Sequence, residues 1–291
     1  MKPAFRKDDA FLSDVRSALA AEGVLHLWWL GQSGFLLQHA GRFLLMDPYL
    51  SESLTRKYAS TDKPHVRVTE RVIDPARLDF VSTVTSSHGH TDHLDGDTIR
   101  PLLAATPGLC LIIPEAIRAL AAQRLGPDAL RPIGLNDGQT CDVDGFTIHA
   151  VPSAHDLLET DESGHHKYLG YVVEAGPWRV YHSGDTRRYA GMVERLAAFD
   201  LDVGLLPING WSAERRVPGN LSIAESVDLG LKAGMRLVVP HHYDMFEFNT
   251  ADPAAFLAHA RARGLPVTVL RPGERLTLGA ETPPASEGVT A

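Results

Sequence analysis

Four side chains able to ligate a metal stand within six residues of one another, His88, His90, Asp92 and His93, in the order His-x-His-x-Asp-His. They follow the run Phe80, Val81, Ser82, Thr83, Val84, so they are expected in the loop that leaves a strand. Such a loop turns alternate side chains to one side, which lets His88 and His90 share one ion while Asp92 and His93 face a second. Imidazole and carboxylate together suit zinc, manganese or iron, and no thiolate lies near. A solvated polar turn is the competing reading, and the density of ligand-type residues favours metal.

One loop cannot close a catalytic metal centre, so further ligands are required from other strand ends. His155 follows the strand-like stretch 146–151, Asp185 ends Val180, Tyr181, His182, Ser183, Gly184, and His242 lies two residues past Pro240. Each candidate follows a short apolar run rich in β-formers, as expected where strands aim side chains from one sheet edge into a common cleft.

The order of His-x-His-x-Asp-His, a lone His, Ser-Gly-Asp and Pro-x-His resembles the metallo-β-lactamase-fold hydrolases. Within them the chain is similar to the branch related to L-ascorbate-6-phosphate lactonase. That likeness rests on Trp29, Leu30, Gly31, Gln32, Ser33, Gly34, Phe35, on Tyr181 to Asp185, and on Pro240, His241, His242 followed by Ala251, Asp252, Pro253. It spans roughly residues 25–253 and implies an α/β fold, the four-layer αβ/βα sandwich.

The resemblance also implies roles. His88, His90 and His155 would hold a first ion, Asp92, His93 and His242 a second, and Asp185 would bridge the two. Two divalent cations sharing a water lower its pKa and supply a bridging hydroxide near neutral pH, while one polarises the bond attacked. Asp92 is the expected catalytic group that passes a proton to the leaving group. Asp47, before Pro48, would orient a ligand imidazole from behind; a strand-ending turn carboxylate is the alternative. His182 is read as a supporting hydrogen-bond partner, and His241 as a neighbour of the ligand His242. In the lactonase branch an acidic residue tends to stand where this chain has His155, so the ascorbate-phosphate substrate does not transfer with the ligand set. The additional nitrogen ligand favours zinc over manganese, with iron a further option.

The bulk numbers narrow the partners. The chain has 291 residues, 44% of them hydrophobic, and a formal net charge of −8, with a pI near 5.9. This argues against a broad basic footprint for nucleic acid or anionic membrane. A small, anionic substrate remains compatible through a local basic pocket, and homo-oligomerisation is left open. Cys110 and Cys141 are the only cysteines and read as core residues or ordinary thiols, so a reducing, cytoplasmic setting is expected. The first residues never reach a secretory apolar core, and no run of about 18 apolar residues occurs.

Along the chain, 1–23 is expected to form a helical extension. Asp8 or Asp9 would cap a helix with Phe11, Leu12, Val15, Ala18 and Leu19 on one face, and Gly23 would end it. A single catalytic domain, 24–280, would follow, with a disordered tail at 281–291. Strands are expected at 24–30, 34–38, 42–46, 109–113, 267–270 and 275–278. Helices are expected at 98–105, interrupted early by Pro101, at 114–124 and stopped by Gly126-Pro127, at 222–232 behind a Ser222-x-x-Glu225 capping box, and after Asp252-Pro253. Two polar stretches, 51–74 and 156–167, are candidates to cover the cleft; the His165-His166 pair in the second reads as a solvated or substrate-facing loop. Arg187, Lys167, Trp211 and His241 are weaker candidates for substrate contact, Arg187 through its planar fork.

The expected function is a dinuclear metal-dependent hydrolase that turns a metal-bridging hydroxide on a lactone, ester or phosphoester of a small anionic metabolite. Alternatives are a phosphodiesterase or nuclease of the same superfamily, a di-iron redox module, which would need a flavin-binding partner domain for which no length remains, and a catalytically silent metal-binding protein.

Overall fold

In a computed structural model, which describes residues 1–19, 23–126 and 131–279, thirteen strands form two sheets. The expected tail and Pro127 lie outside these residues. In chain order the first six strands are β1 (Leu25–Gly31), β2 (Gly34–His39), β3 (Arg42–Met46), β4 (Thr83–Thr85), β5 (Cys110–Pro114) and β6 (Ile133–Leu135). The next six are β7 (Thr140–Val143), β8 (Phe146–Pro152), β9 (Leu169–Ala175), β10 (Trp178–His182), β11 (Val203–Pro207) and β12 (Leu237–His241), and β13 (Arg275–Leu278) returns beside β1. The sheets run β13-β1-β2-β3-β4-β5-β6 and β12-β11-β10-β9-β8-β7. Each has an antiparallel part, in which β1-β2-β3, β7-β8 and β9-β10 are joined by tight turns and β8-β9 by the long stretch 153–168, and continues with parallel neighbours: β3 through β6 in the first sheet, β10 through β12 in the second.

The continuous apolar runs of β1 to β5 follow from burial on both faces. Side chains alternate across a strand, so Leu25, Leu27, Trp29, Phe35, Leu37, Leu44, Met46 and Ile112 enter the core between the sheets. Their neighbours Trp28, Leu30, Leu36, Phe43, Leu45, Leu111 and Ile113 face the outer core. That outer core is closed by Phe11 and Val15 of α1 (Asp8–Ala18), Ile99 and Leu102 of α3 (Gly96–Ala105), and Ala121 and Leu125 of α4 (Arg118–Leu125), while Leu54 of α2 (Ser53–Tyr58) packs in a separate small cluster with Tyr49, Met245 and Phe246. The second sheet is covered by α5 (Met192–Ala197), α6 (Ile223–Lys232) and α7 (Pro253–Arg263), which contribute Met192, Val227 and Phe256. The result is a helix–sheet–sheet–helix sandwich.

Several local expectations need correction. The cap of α1 is Lys7, with no side-chain hydrogen bond; Asp8 and Asp9 fall inside the first turn, where carboxylates still favour the helix dipole. The helix ends at Ala18, and Leu19 is exposed. Residues 267–270 form no strand: Val267 makes only an isolated parallel bridge to Val238. Helix α3 starts at Gly96 under an Asp95 cap and passes through Pro101, because buried Ile99 and Leu102 anchor it on both sides of the missing N–H. After Pro114 a 3-10 turn, Glu115–Ile117, precedes α4. The Ser222–Glu225 capping box and the Asp252 cap on α7 form as expected. Among the described residues no helix is long and apolar enough to cross a membrane.

Candidate metal centre

The two sheets present their loops at one edge of the sandwich. The loop after β4 carries His88, His90, Asp92 and His93; those after β8, β10 and β12 carry His155, Asp185 and His242. Turn chemistry aims several of them. His242 sits at φ 66° and Asp47, just past β3, at φ 42°, the left-handed region in which His and Asp are enriched relative to other side chains and which clusters at functional sites. Gly184 (φ 57°) precedes Asp185, and a Cβ there would lie 2.5 Å from Cβ of Ser87; only glycine lets the two loops touch.

Donor atoms of His88, His90 and His155 lie within 4.8 Å of one another, as do those of His88, His93 and Asp185. Asp185 is central. Its Oδ1 is 3.4 Å from Nε2 of His93, and its Oδ2 is 3.3 Å from Nε2 of His242 and 3.7 Å from Nε2 of His155. Asp92 Oδ2 stands 3.7 Å from Nε2 of His93.

The outer nitrogens are held from behind. His93 Nδ1–H donates to Asp47 Oδ2 at 2.6 Å, and His155 Nδ1–H donates to the Gly219 carbonyl at 2.9 Å. The Ser87 N–H and hydroxyl donate to Asp47 at 2.7 and 2.5 Å, and His88 Nδ1 meets the Ser87 hydroxyl oxygen at 3.0 Å. Each contact turns the ring so that Nε2 points inward, the arrangement in which a hydrogen bond on one imidazole nitrogen readies the other for a metal. His182 lies deeper: its Nε2–H donates to the Ser33 carbonyl at 2.8 Å, and its ring stacks at 9° on His241, whose Nδ1 meets the Ser33 hydroxyl at 3.1 Å.

Burial and charge act against each other here. Burial, then the neighbouring rings His93 and His90, hold His88 well below the ordinary imidazole pKa, and burial with His155 lowers His90 to about 4. Burial would also lower His93, yet Asp185, Asp92 and Asp47 raise it well above the usual value. Burial would raise the Asp185 carboxyl, but His242 and His93 hold it well below the carboxylate range.

Whether a metal fits can be judged from the atoms left over. Nε2 of His88, Nε2 of His93 and Oδ1 of Asp185 are buried without a hydrogen-bond partner. Buried polar atoms that converge without hydrogen-bond partners are costly, and a cation that takes the place of the His93 proton would be met by the lone pairs of both rings and the carboxylate. The nitrogen and oxygen donor set suits a borderline divalent ion, so the residues fit.

A cavity of about 310 Å³ opens over the cluster, lined by His90, Asp92, His155, Asp185 and His242 together with Lys57, Tyr58, Lys63, His65, Arg124 and Arg216. The stretch 51–74 therefore does reach the cleft, through α2 and the residues after it. None of 156–167 lines the cavity; His165 is held by Asp161 in a hairpin tip. Arg187, Lys167, Trp211 and His241 do not line it either. Arg187 pairs with Asp156 at 3.6 Å and lies over the ring of Trp211, which is 55% exposed, while Lys167 reaches Glu159 at 3.4 Å.

Gln32 escaped the sequence reading. Its amide N–H donates to Asp92 Oδ2 at 2.9 Å and to Nε2 of His242 at 3.1 Å, and its carbonyl accepts from the His242 N–H at 3.0 Å and from Trp29 Nε1 at 3.0 Å. It sits at φ 50° in the tight β1–β2 turn, and its presence in the Trp29 to Phe35 stretch carried no hint of these partners.

A two-sheet sandwich with a His/Asp cluster at one edge defines a class, the metallo-β-lactamase-fold proteins, and residues 42–243 match the family described as the beta-lactamase superfamily domain. A metal-dependent hydrolase of the UPF0173 family from Opitutus terrae is 30% identical over 258 residues, covering 87% of this chain and 99% of the relative. Among solved structures, the metallo hydrolase Igni18 from Ignicoccus hospitalis superposes with TM-score 0.65 at 24% identity, over 89% of this chain and all (100%) of the other. An isothiocyanate hydrolase from Delia radicum gut bacteria superposes with TM-score 0.70 at 19% identity, over 88% of this chain and 100% of the other. The chain belongs to the metallo-β-lactamase superfamily, in its UPF0173 family of metal-dependent hydrolases. Its His/Asp cluster is capable of binding metal.

Proposed function

We propose that the chain is a dinuclear hydrolase for a lactone, ester or phosphoester of a small anionic metabolite, working in the cytoplasm with zinc as its metal. The observation that carries this is the convergence of unpartnered Nε2 and Oδ atoms at the floor of the cavity. His88, His90 and His155 would hold the first ion, Asp92, His93 and His242 the second, and Asp185 both. Bound there, divalent cations would polarise the bond to be cleaved and lower the pKa of water held at the site.

The protein's own groups do the rest. Asp47 keeps the proton on Nδ1 of His93, and Gly219 keeps it on Nδ1 of His155, so that both rings offer a lone pair inward. Asp92, which lines the cavity, is placed to carry a proton to the departing oxygen. The closed wall of α2 and the 213–219 segment limits the substrate to a small molecule, in keeping with cavities of a few hundred cubic ångströms. The Trp29 to Phe35 and Tyr181 to Asp185 stretches support a tie to the lactonase branch, while His155 in place of an acid argues for a different substrate. Ligands drawn from both sheets support reading 24–280 as one catalytic unit. The free cysteines Cys110 and Cys141 are in keeping with a reducing compartment.

The test is elemental analysis of the purified protein beside Asp185→Asn, followed by a hydrolysis screen of lactones, esters and phosphoesters, with an isothiocyanate added because that activity occurs on the same fold. About two equivalents of metal, lost together with hydrolysis in the variant, is the expected result. Absence of metal after reconstitution would leave a silent protein instead.

A further inference from the structure

The cavity over the cluster is unusually cationic for a chain of net charge −8. Lys57, on α2, and Lys63, five residues past its end at Tyr58, come from one segment; Arg124 comes from the last turn of α4. Among the described residues none of the three has a carboxylate partner. Lys63 Nζ donates to the Arg216 carbonyl at 2.8 Å, Arg124 Nη1 donates to the Leu94 carbonyl at 2.9 Å, and the Lys57 ammonium lies 5.1 Å from the ring centroid of Tyr58.

Arg124 is the most informative of the three. It is half-buried, and its remaining guanidinium N–H groups have no protein acceptor among the described residues. Asp95 and Asp92 act on it only through space, with no direct ion pair among the described residues, whereas Arg56, Arg77 and Arg236 elsewhere on the protein are paired directly with carboxylates; a partly buried guanidinium without such a pair gains from an anion brought to it. The rim is also built rather than incidental. Lys63 is tied across to the 213–219 segment, Arg216 of that segment returns an ion pair to Asp62, and His65 locks the lid by stacking at 4.4 Å on Tyr58 and edging against Phe246 and Phe248.

Resting on the hydrolase reading above, we propose that Lys57, Lys63 and Arg124 bind a second anionic group of the substrate, a carboxylate or phosphate remote from the bond cleaved. The site then selects molecules with two polar ends: a hydrolysable group at the His/Asp cluster and an anion at the lysine and arginine side chains of the same cavity. Arg187, which sequence spacing marked as the clamp, is already engaged by Asp156 and Trp211. A charged pair formed in this partly enclosed cavity gains more than one formed in open water.

Succinate and butyrate test this, since they share a four-carbon chain and differ by one carboxylate; inorganic phosphate serves as a second anion. Binding to the metal-loaded protein is measured by calorimetry for the wild type, Lys57→Met/Lys63→Met, Arg124→Met and Arg187→Met. The wild type is expected to prefer succinate by about tenfold or more, the worth of one charge-assisted contact. That preference should collapse to within about twofold in the lysine pair and in Arg124→Met. Tighter phosphate than succinate binding that is equally lost in both variants would mark the second group as a phosphate. No wild-type preference, a preference that survives in the folded lysine variant, or one lost in Arg187→Met would each overturn the proposal. Should Arg124→Met fail to fold by circular dichroism, the exposed lysine pair decides alone. Metal analysis of the same samples separates the two claims: a preparation without metal refutes the dinuclear reading, while the succinate ratio still judges a rim that itself ligates no metal.

Discussion

The two sheets build their shares of the metal centre differently. The first sheet delivers His88, His90, Asp92 and His93 in one loop after β4, backed by Asp47 after β3. The second delivers His155, Asp185 and His242 singly, from the ends of β8, β10 and β12. A dense loop fixes its side chains locally, by its own turn and by Ser87 and Asp47. Single residues depend on the register of three strands and on how the sheets pack. Asp185 is where the contributions meet, with one oxygen toward His93 of the first sheet and the other toward His155 and His242 of the second.

The most severe way to break this arrangement is to remove the charge at the meeting point. Asp185→Asn keeps the shape and is expected to lower hydrolysis by on the order of 10³-fold or more, as loss of a central catalytic group does, with metal content falling in parallel. Hydrolysis that persists with only one equivalent of metal would mean that the sheets act through separate ions.

The comparison sharpens in a double-mutant cycle across the sheets. His90→Ala and His155→Ala should each cost more than the roughly 100-fold upper end seen for residues behind a ligand. Combined, they should cost little more than either alone if both serve one ion as proposed, since groups that act as a unit are not additive. Additive losses in metal affinity would place the two histidines on different ions.

Asp47 tests how much the dense loop relies on support from β3. Asp47→Asn keeps the volume but weakens the contact that sets the His93 tautomer, and metal affinity should fall by roughly 10- to 100-fold with the fold intact. An unchanged affinity would show that the loop orients itself.

The share of this legible in the sequence follows the same division. The His88 to His93 cluster announces itself by density, and the runs feeding β1 to β3 by their leucine and aromatic content between glycine-containing turns. His155, Asp185 and His242 are each a lone residue after an apolar run, and only the order of the motifs along the chain distinguishes them from His182 or His241. Residues 267–270 read as a strand, yet an apolar run becomes one only where a neighbour offers a full ladder, and here a single bridge to Val238 forms. Arg187, a weaker candidate for substrate contact, turns to Asp156 and Trp211, and Arg124, which the sequence marked only as a helix end, lines the cavity, because an arginine's direction is set by what packs against its helix or loop, which spacing does not encode. Gln32 is invisible for the same reason: its partners Asp92 and His242 are 60 and 210 residues away.

Acid should act on the metal-free chain more than on the loaded one. The His90 pKa is about 4 in the folded state, lowered first by burial, and burial likewise holds His88 well below the ordinary imidazole value of about 6.5. The unfolded chain therefore binds more protons than the folded one between these values, and stability falls as pH drops from about 6.5 toward 4. Below the folded pKa that loss is complete. His93 opposes it, since its raised pKa contributes stability at low pH that is lost as pH rises through the folded value. Thermal unfolding of chelator-treated protein across this range should show a falling midpoint. With metal bound the drop should begin at lower pH, because protons must first displace the ion. A midpoint that rises on acidification would put His93 in control.

The smallest expected effect comes from Gln32, which joins the β1–β2 turn of the first sheet to the loop after β12 of the second. Its amide donates to Asp92 and His242, and its carbonyl accepts the His242 N–H. Gln32→Ala removes the side-chain donors and leaves the backbone tie, so His242 keeps its position while the neutral hydrogen bonds disappear. Bonds of this kind are worth about 0.5–1.5 kcal/mol each, so metal affinity or turnover should change by about 3- to 10-fold. A drop confined to metal affinity would show that the amide positions His242, and one confined to turnover that it acts on Asp92. A loss as large as that of Asp185→Asn would mean that the late loop has no independent hold on its histidine, and that the contrast between the dense and the dispersed halves is one of sequence spacing alone.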